Sequence, residues 1–248
     1  MEFPHHAISL SIIVPVYNEA ANVALVLEAV ARAPLPQGIE REVIVVDDGS
    51  TDGTSEVLLG LSGFRYHRMP MNSGKGIAVR QGLAMAQGEL LLIQDADLEY
   101  SPSCYPELLR PLLEGRCEVV YGSRFLGHQE GMRPLQYLGN RVLTATCNLL
   151  FGSSLTDSYT CYKAFRRSTL DFPLTANRFE LEAELTAKFL LRGRRICEVP
   201  ISYTARGRAE GKKIRARDGF RADQHLGQAL VDVAVEDRLL VVTVLGET

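Results

Sequence analysis

The sequence predicts an α/β protein, with a mainly parallel central sheet and helices on both faces. Three observations carry this. Short apolar runs alternate with amphipathic stretches from residue 10 to residue 125. Several runs are apolar at nearly every position, as strands covered on both faces tend to be. The runs end in acidic or glycine-containing turns that suit the opening of a helix.

The first strand is read at Leu10–Val16 and leads into a helix over Ala20–Ala33. The second, Glu42–Asp47, runs into "DGSTDGT", whose Ser, Thr and Asp residues cap a helix over Gly53–Leu61. A third strand, Phe64–Met69, precedes "NSGKGIAV" and a helix over Gly76–Gln87. The fourth, Leu90–Gln94, stops at "DADLEYSP", and Pro102 marks the start of a helix at Ser103–Glu114. Strands at Glu118–Tyr121 and Arg195–Tyr203 complete the set.

Composition sets outer limits. The chain has 248 residues, 46% hydrophobic, enough to bury a sizeable core in one large domain. A net charge of −3 gives no global attraction to nucleic acid, so none is expected as a partner. The amino end lacks a basic start and an apolar core, and no run approaches the roughly 18 apolar residues of a membrane span. The five cysteines, at 104, 117, 147, 161 and 197, form no C-x-x-C pair. Reduced thiols in a cytoplasmic protein are expected, and zinc is not.

The chemistry concentrates at strand ends. Acids follow three apolar runs: Glu19, then Asp47 and Asp48, then Asp95 and Asp97. In a parallel sheet these ends share one edge, where ligands of such sheets bind. A single Asp at such a place ordinarily caps a helix or turn, as Asp52 is expected to do. Several unpaired carboxylates together are costly without cations. Magnesium and manganese prefer oxygen ligands, and magnesium usually takes one or two carboxylates plus substrate phosphates. Asp95-x-Asp97 therefore reads as the holder of a metal-bound diphosphate.

In order and spacing, "VPVYNEA", "VVDDGSTDGT", "NSGKGIAV", "DADLEYSP" and "GSRF" resemble the family 2 glycosyltransferases, which have the GT-A fold. "LTDSYTCYKAFRR", "RFELEAELTAKFLLRG" and "EVPISYTARGRAEGKKIRARDG" extend the resemblance to polyprenyl-phosphate hexosyltransferases such as dolichyl-phosphate mannose and glucose synthases. It covers residues 9 to 222. It implies an inverting, metal-dependent transfer of a hexose from a GDP- or UDP-sugar to a lipid phosphate, with Mg2+ or Mn2+ as cofactor. Pro15, Tyr17 and Glu19 would shape the nucleoside pocket, with Val46 and Asp48 beside base and ribose. Lys75 would point at the nucleotide, and Asp95, Ala96 and Asp97 would line the donor site. Asp95, Asp97 and Glu99 would form the metal set. Arg124 would meet substrate phosphate, Arg206 and Lys212 would clamp the leaving diphosphate, and Asp157 is the candidate base. Arg133 and Arg141 rank lower as acceptor-phosphate contacts.

Other features read as structural or leave alternatives open. Glu180, Glu182 and Glu184 fall at helical spacing with Lys188, so salt-bridging on a polar face accounts for them. Cys161 stands where the resembling enzymes have glycine. Residues 1–222 are expected to form the catalytic domain and 223–248 an appendage too short and charged to span a bilayer, leaving membrane contact peripheral. A soluble acceptor, or a nucleotide-sugar-binding protein without turnover, remains as an alternative.

Overall fold

The computed structural model describes residues 8 to 206. Nine strands and six helices run in the order β1 (Ile8–Val16), α1 (Val23–Arg32), β2 (Ile39–Asp47), α2 (Thr54–Leu59), β3 (Arg65–Arg68), α3 (Lys75–Met85), β4 (Leu90–Ile93), α4 (Tyr105–Leu113), β5 (Val119–Ser123), β6 (Gln129–Glu130), α5 (Pro134–Phe151), β7 (Lys163–Arg166), α6 (Leu181–Leu191), β8 (Ile196–Pro200) and β9 (Tyr203–Thr204). Seven strands form one sheet in the order β3-β2-β1-β4-β7-β5-β8. Pairing is parallel except around β7, which lies antiparallel between β4 and β5. The sequence carries no clear signal for this strand. "KAFR" is only four residues long and carries a charge at each end, so neither a continuous apolar run nor an extended alternation announces it.

Alternation along the strands feeds two cores. Ile12 and Val14 pack with Val26 and Val30 of α1 and with Leu108 and Leu112 of α4. Ile13, Ile44 and Val46 face the other way, onto Ala78 and Val79 of α3 and the cluster that includes Leu181, Leu185 and Phe189 of α6. Side chains of consecutive strand residues point to opposite faces, so helix layers on both sides follow from an all-apolar strand. Close packing on the α3 side needs Gly82, where a Cβ would run into the Ile13 side chain.

The last expected strand divides in two. β8 ends at Pro200, and the chain then turns so that Tyr203 and Thr204 pair with Gln129 and Glu130 in a separate two-stranded sheet. That small sheet carries the chain back across the ends of β1 and β4. Among the described residues no helix is long and apolar enough to cross a membrane. Lys212 and the proposed appendage at 223–248 lie outside the described residues.

Candidate active site

The carboxyl ends of β1, β2 and β4 are adjacent because β1 pairs with both neighbours in parallel register, Val16 opposite Asp47 and Ile13 opposite Ile93. Each end passes into a tight acidic loop. Among the described residues, the non-glycine residues with positive φ are Asn18 (51°) and Leu98 (62°), and each immediately precedes a site glutamate. A bulky residue such as leucine rarely adopts this region, so the backbone at Asp97-Leu98-Glu99 is held under strain by its surroundings.

The two aspartates at the end of β2, Asp47 and Asp48, serve the scaffold. Asp47 accepts from the Ser50 amide (2.9 Å), the Ser55 hydroxyl (2.5 Å) and the Tyr66 hydroxyl (3.1 Å). Burial raises its pKa, but these hydrogen bonds outweigh that and hold it below the usual carboxylate range. Asp48 accepts from the amides of Ser73 (2.7 Å) and Gly74 (2.8 Å) and from the Asn72 side chain (3.0 Å). Its carboxylate thus fixes the turn that launches α3. Gly74 adopts φ +107°, and a Cβ there would collide with the Asn177 carbonyl.

Lys75, the first residue of α3, is directed inward. Its ammonium lies 2.7 Å from Asp95 Oδ1 and 2.9 Å from Glu182 Oε1. Burial disfavours the charge, yet the two carboxylates outweigh it and keep the ammonium well above the ordinary lysine range. Helical spacing assigns Glu182 to a polar helix face. Instead it is 5% exposed, and its Oε2 is buried with no hydrogen-bond partner among the described residues. Its neighbours do fill the expected structural roles. Glu184 holds the Thr175 and Ala176 amides and Lys188, and Glu180 accepts from the Asn177 and Arg178 amides. Helical spacing alone does not show which of three acids a neighbouring strand end will meet.

Arg206 closes the crevice. Its guanidinium grips Glu19 at 2.9 and 3.0 Å and reaches Asp97 Oδ2 at 3.3 Å. Its amide donates to Glu99 Oε1 (3.0 Å), whose other oxygen accepts from the Tyr203 hydroxyl (2.8 Å). Arg206 Nε is buried without a partner among the described residues. Burial, then the charges of Asp95 and Glu99, push the Asp97 carboxyl up to about 7 despite Arg206. Beneath these loops, Gln94 accepts from the hydroxyls of Tyr105 (2.8 Å) and Tyr162 (2.6 Å) and donates to the Asp95 carbonyl (3.0 Å). Neither Gln94 nor Tyr203 carries a sequence signal for this role.

Several sequence expectations need correction. Asp157, the candidate base, is fully buried with Oδ1 and Oδ2 2.7 Å from Nη2 and Nε of Arg124. A carboxylate enclosed in such a fork has both oxygens engaged, an arrangement that suits a structural pair rather than a general base. Arg124, expected at phosphate, spends two of its donor nitrogens on this pair and is 4% exposed. Val46 and Ala96 bury their side chains in the two cores, so they offer only backbone to the crevice. Pro15 lies opposite Val46 at the strand edge, partly exposed, as is Tyr17.

Nor do Asp95, Asp97 and Glu99 assemble as a three-residue metal set, since Asp95 is spent on Lys75 and Glu99 on Tyr203 and Arg206. Among the described residues no group of three or more His, Cys, Asp or Glu side chains is placed to hold a metal. The remaining fit is narrower. Asp97 carries a carboxylate with too little compensating charge, which suits a cation completed by substrate phosphates and water.

The model of Glycosyl transferase family 2 matches residues 11–172. The chain belongs to that family. It is 33% identical over 80% of its length to glycosyltransferase AglJ of Haloferax volcanii, spanning 64% of that protein. It is 31% identical over 93% of its length to the dolichyl-phosphate hexose transferase of the same organism, spanning 96% of it. A third relative there, the low-salt glycan biosynthesis hexosyltransferase Agl6, is 30% identical, and the chain spans only 52% of it. Among solved structures, glucosyl-3-phosphoglycerate synthase of Mycobacterium tuberculosis with Mn2+, UDP-glucose and phosphoglyceric acid superposes with TM-score 0.72 at 23% identity, covering 91% of this chain and 79% of that one. The same enzyme with Mg2+ and UDP gives TM-score 0.64 at 26% identity, covering 82% and 74%. The fold of this family 2 glycosyltransferase is accordingly of the GT-A type.

Proposed function

We propose that this glycosyltransferase moves a hexose from a nucleoside diphosphate sugar to a polyprenyl or dolichyl phosphate, inverting the anomeric centre, with residues 1–222 as the catalytic domain. The observation that carries the reading is the crevice itself. Glu19, Asp95, Asp97, Glu99 and Glu182 converge there on two cations, Lys75 and Arg206. A further cation entering the crevice would relieve such an excess of carboxylate. The relative spanned almost end to end, the dolichyl-phosphate hexose transferase, supports the choice of acceptor.

In this reading the nucleoside lies over the ends of β1 and β2, against Pro15, Tyr17 and Glu19, with Asp48 holding the adjoining turn. Asp97 is the carboxylate that holds Mg2+ or Mn2+, with Asp95 behind it. Bound there, the metal supplies charge neutralisation for the diphosphate. Arg206 leaves Glu19 and Asp97 and turns its fork to the phosphate oxygens, where negative charge develops as the nucleoside diphosphate departs. Lys212 joins it. Glu182 Oε2 and Arg206 Nε, unpartnered among the described residues, give an acceptor and a donor to the incoming substrate. A phosphate monoester is already anionic near neutral pH, so positioning replaces a general base, in keeping with the engagement of Asp157 by Arg124.

A panel of GDP- and UDP-hexoses tests this by thermal shift with and without Mn2+, followed by transfer to a prenyl phosphate. One donor is expected to raise the melting temperature well above the others, in a metal-dependent way. Asp97→Asn is expected to abolish both that shift and the transfer. Metal-stimulated transfer at the wild-type rate by Asp97→Asn would overturn the assignment.

A further inference from the structure

The helix α5 is built inside out. Its protein-facing side holds Thr144 and Cys147, with Asn148 tying down the 153–155 turn through Ser153 and Leu155. Its solvent side is apolar. Leu135, Leu138, Val142, Ala145 and Leu149 recur at alternating intervals of three and four, one continuous stripe on a helix, and all five are exposed. Leu135 is 74% exposed and Leu149 86%. Tyr137, Leu150 and the nearby Leu126 widen the stripe into a band. At 18 residues the helix is about 27 Å long. An apolar surface of this length on one helix marks an interaction site.

We propose that this face of α5 lies on an anionic lipid bilayer, which brings the transferase to its lipid-phosphate acceptor; the inference rests on the reading given above. Charge favours this occupant. No residue of α5 is acidic, while Arg141 lies beside the stripe and Arg133 stands exposed just before the helix. Aliphatic residues flanked by arginines suit insertion at the level of headgroups and upper acyl chains. A second copy of the chain suits the face less well. In a symmetric antiparallel pair the stripe would cross itself at Val142, which sets the two Arg141 guanidinium groups side by side. The band is also broader than the two-in-seven seam of a coiled coil.

The position is suited to delivery. Phe125, just past Arg124, packs edge-on against Tyr137 of α5 at 5.1 Å, and Arg141 stacks over the same Phe125 ring at 5.4 Å. Gln136 neighbours the Tyr203 hydroxyl that holds Glu99. Thr144 hydrogen-bonds Ser158, next to Asp157. The apolar band therefore flanks the crevice, within reach of a lipid phosphate that stays anchored by its chain.

Vesicle flotation of the full-length protein is the test, using phosphatidylcholine alone and phosphatidylcholine mixed with phosphatidylglycerol. Preferential binding to the mixed vesicles is expected, and Leu138→Asp/Leu149→Asp is expected to weaken it about tenfold or more. Both positions are exposed, so the donor-induced thermal shift of the variant should match the wild type and certify its fold. The variant should keep transfer to a short, water-soluble prenyl phosphate while losing transfer to a long-chain prenyl phosphate in vesicles. Undiminished vesicle binding by the variant would overturn the inference and move membrane contact to residues 207–248. So would absent binding by the wild type, or a dimer in sedimentation that the double substitution dissociates. Binding that behaves as expected, with no transfer to any prenyl phosphate, would uphold the docking face and refute the acceptor assignment.

Discussion

Arg206 and Glu19, 187 positions apart in sequence, meet through two hydrogen bonds of 2.9 and 3.0 Å, and the same guanidinium touches Asp97 at 3.3 Å. A protein cation thus sits where the strand-end acids gather. Under the proposed function, substrate binding would exchange these ionic contacts for contacts to the donor diphosphate. Removing Arg206 has two consequences of different kind.

In the free protein, Arg206→Ala leaves Glu19 and Asp97 without their guanidinium, and a lower melting temperature is expected in metal-free buffer. Mn2+ with donor should recover much of that loss, because the metal replaces the missing charge. Transfer should fall about 10²- to 10³-fold in kcat, as for loss of one group that stabilises developing negative charge. Melting curves with and without Mn2+, beside initial rates, separate the two. A variant with unchanged kcat would refute the role at the diphosphate.

The Arg124–Asp157 pair leads to a different expectation. Asp157→Asn leaves a buried guanidinium uncompensated, a loss of roughly 3–5 kcal/mol, readable by urea denaturation. If the altered protein still folds, its pH–rate profile should keep the wild-type shape, because the proposed reaction relies on positioning rather than on a general base. Disappearance of the acidic limb from that profile, the rise in rate as a base loses its proton, would restore Asp157 as the base.

Lys75, Asp95 and Glu182 form one electrostatic unit. Lys75→Met and Glu182→Gln should therefore be non-additive, with a coupling of about 1–3 kcal/mol in a double-mutant cycle. Lys75→Met alone should be the more damaging, because it strands two carboxylates, Asp95 and the buried Glu182, where Glu182→Gln strands none. Additive losses would mean that the contacts at 2.7 and 2.9 Å contribute little in solution.

Lys163 leads to an expected pH dependence of stability. Its ammonium is buried over the Tyr121 ring at 3.8 Å and donates to the carbonyls of Ser158 (2.9 Å) and Thr160 (2.7 Å). Burial outweighs the attraction of Glu182 and brings its pKa down from 10.5 to about 8. Between those values the unfolded chain binds the proton and the folded one does not, so this group's contribution to stability rises with pH. The cost is present in full below pH 8 and is relieved by pH 10.5, a span worth roughly 3 kcal/mol. Measured against Lys163→Met, wild-type stability should gain between pH 7 and pH 10. A constant difference would show that the carbonyls and the ring keep the ammonium charged.

Local pattern determined much of this protein. Continuous apolar runs announced β1, β2, β4 and β5, because a strand covered on both faces has no room for polar alternation. The acids after three of those runs marked one edge of the sheet, since parallel strands bring like ends together. Quoted motifs were enough to show the resemblance to family 2 glycosyltransferases, which the family match bears out.

Pairing across long separations was settled only by the tertiary structure. Of two adjacent aspartates, Asp47 turns to Ser55 and Tyr66 while Asp48 turns to the loop before α3, a division no local spacing encodes. Glu182 differs from Glu180 and Glu184 only in the direction its helix happens to present it, towards Lys75. Asp157 resembles a base until Arg124 is seen to occupy both its oxygens. The short antiparallel β7 and the outward-facing leucines of α5 belong to the same class. Sequence fixes which side chains a segment presents, but the partner that neutralises a charge or covers an apolar face is chosen by distance in space, where desolvation and Coulomb attraction act.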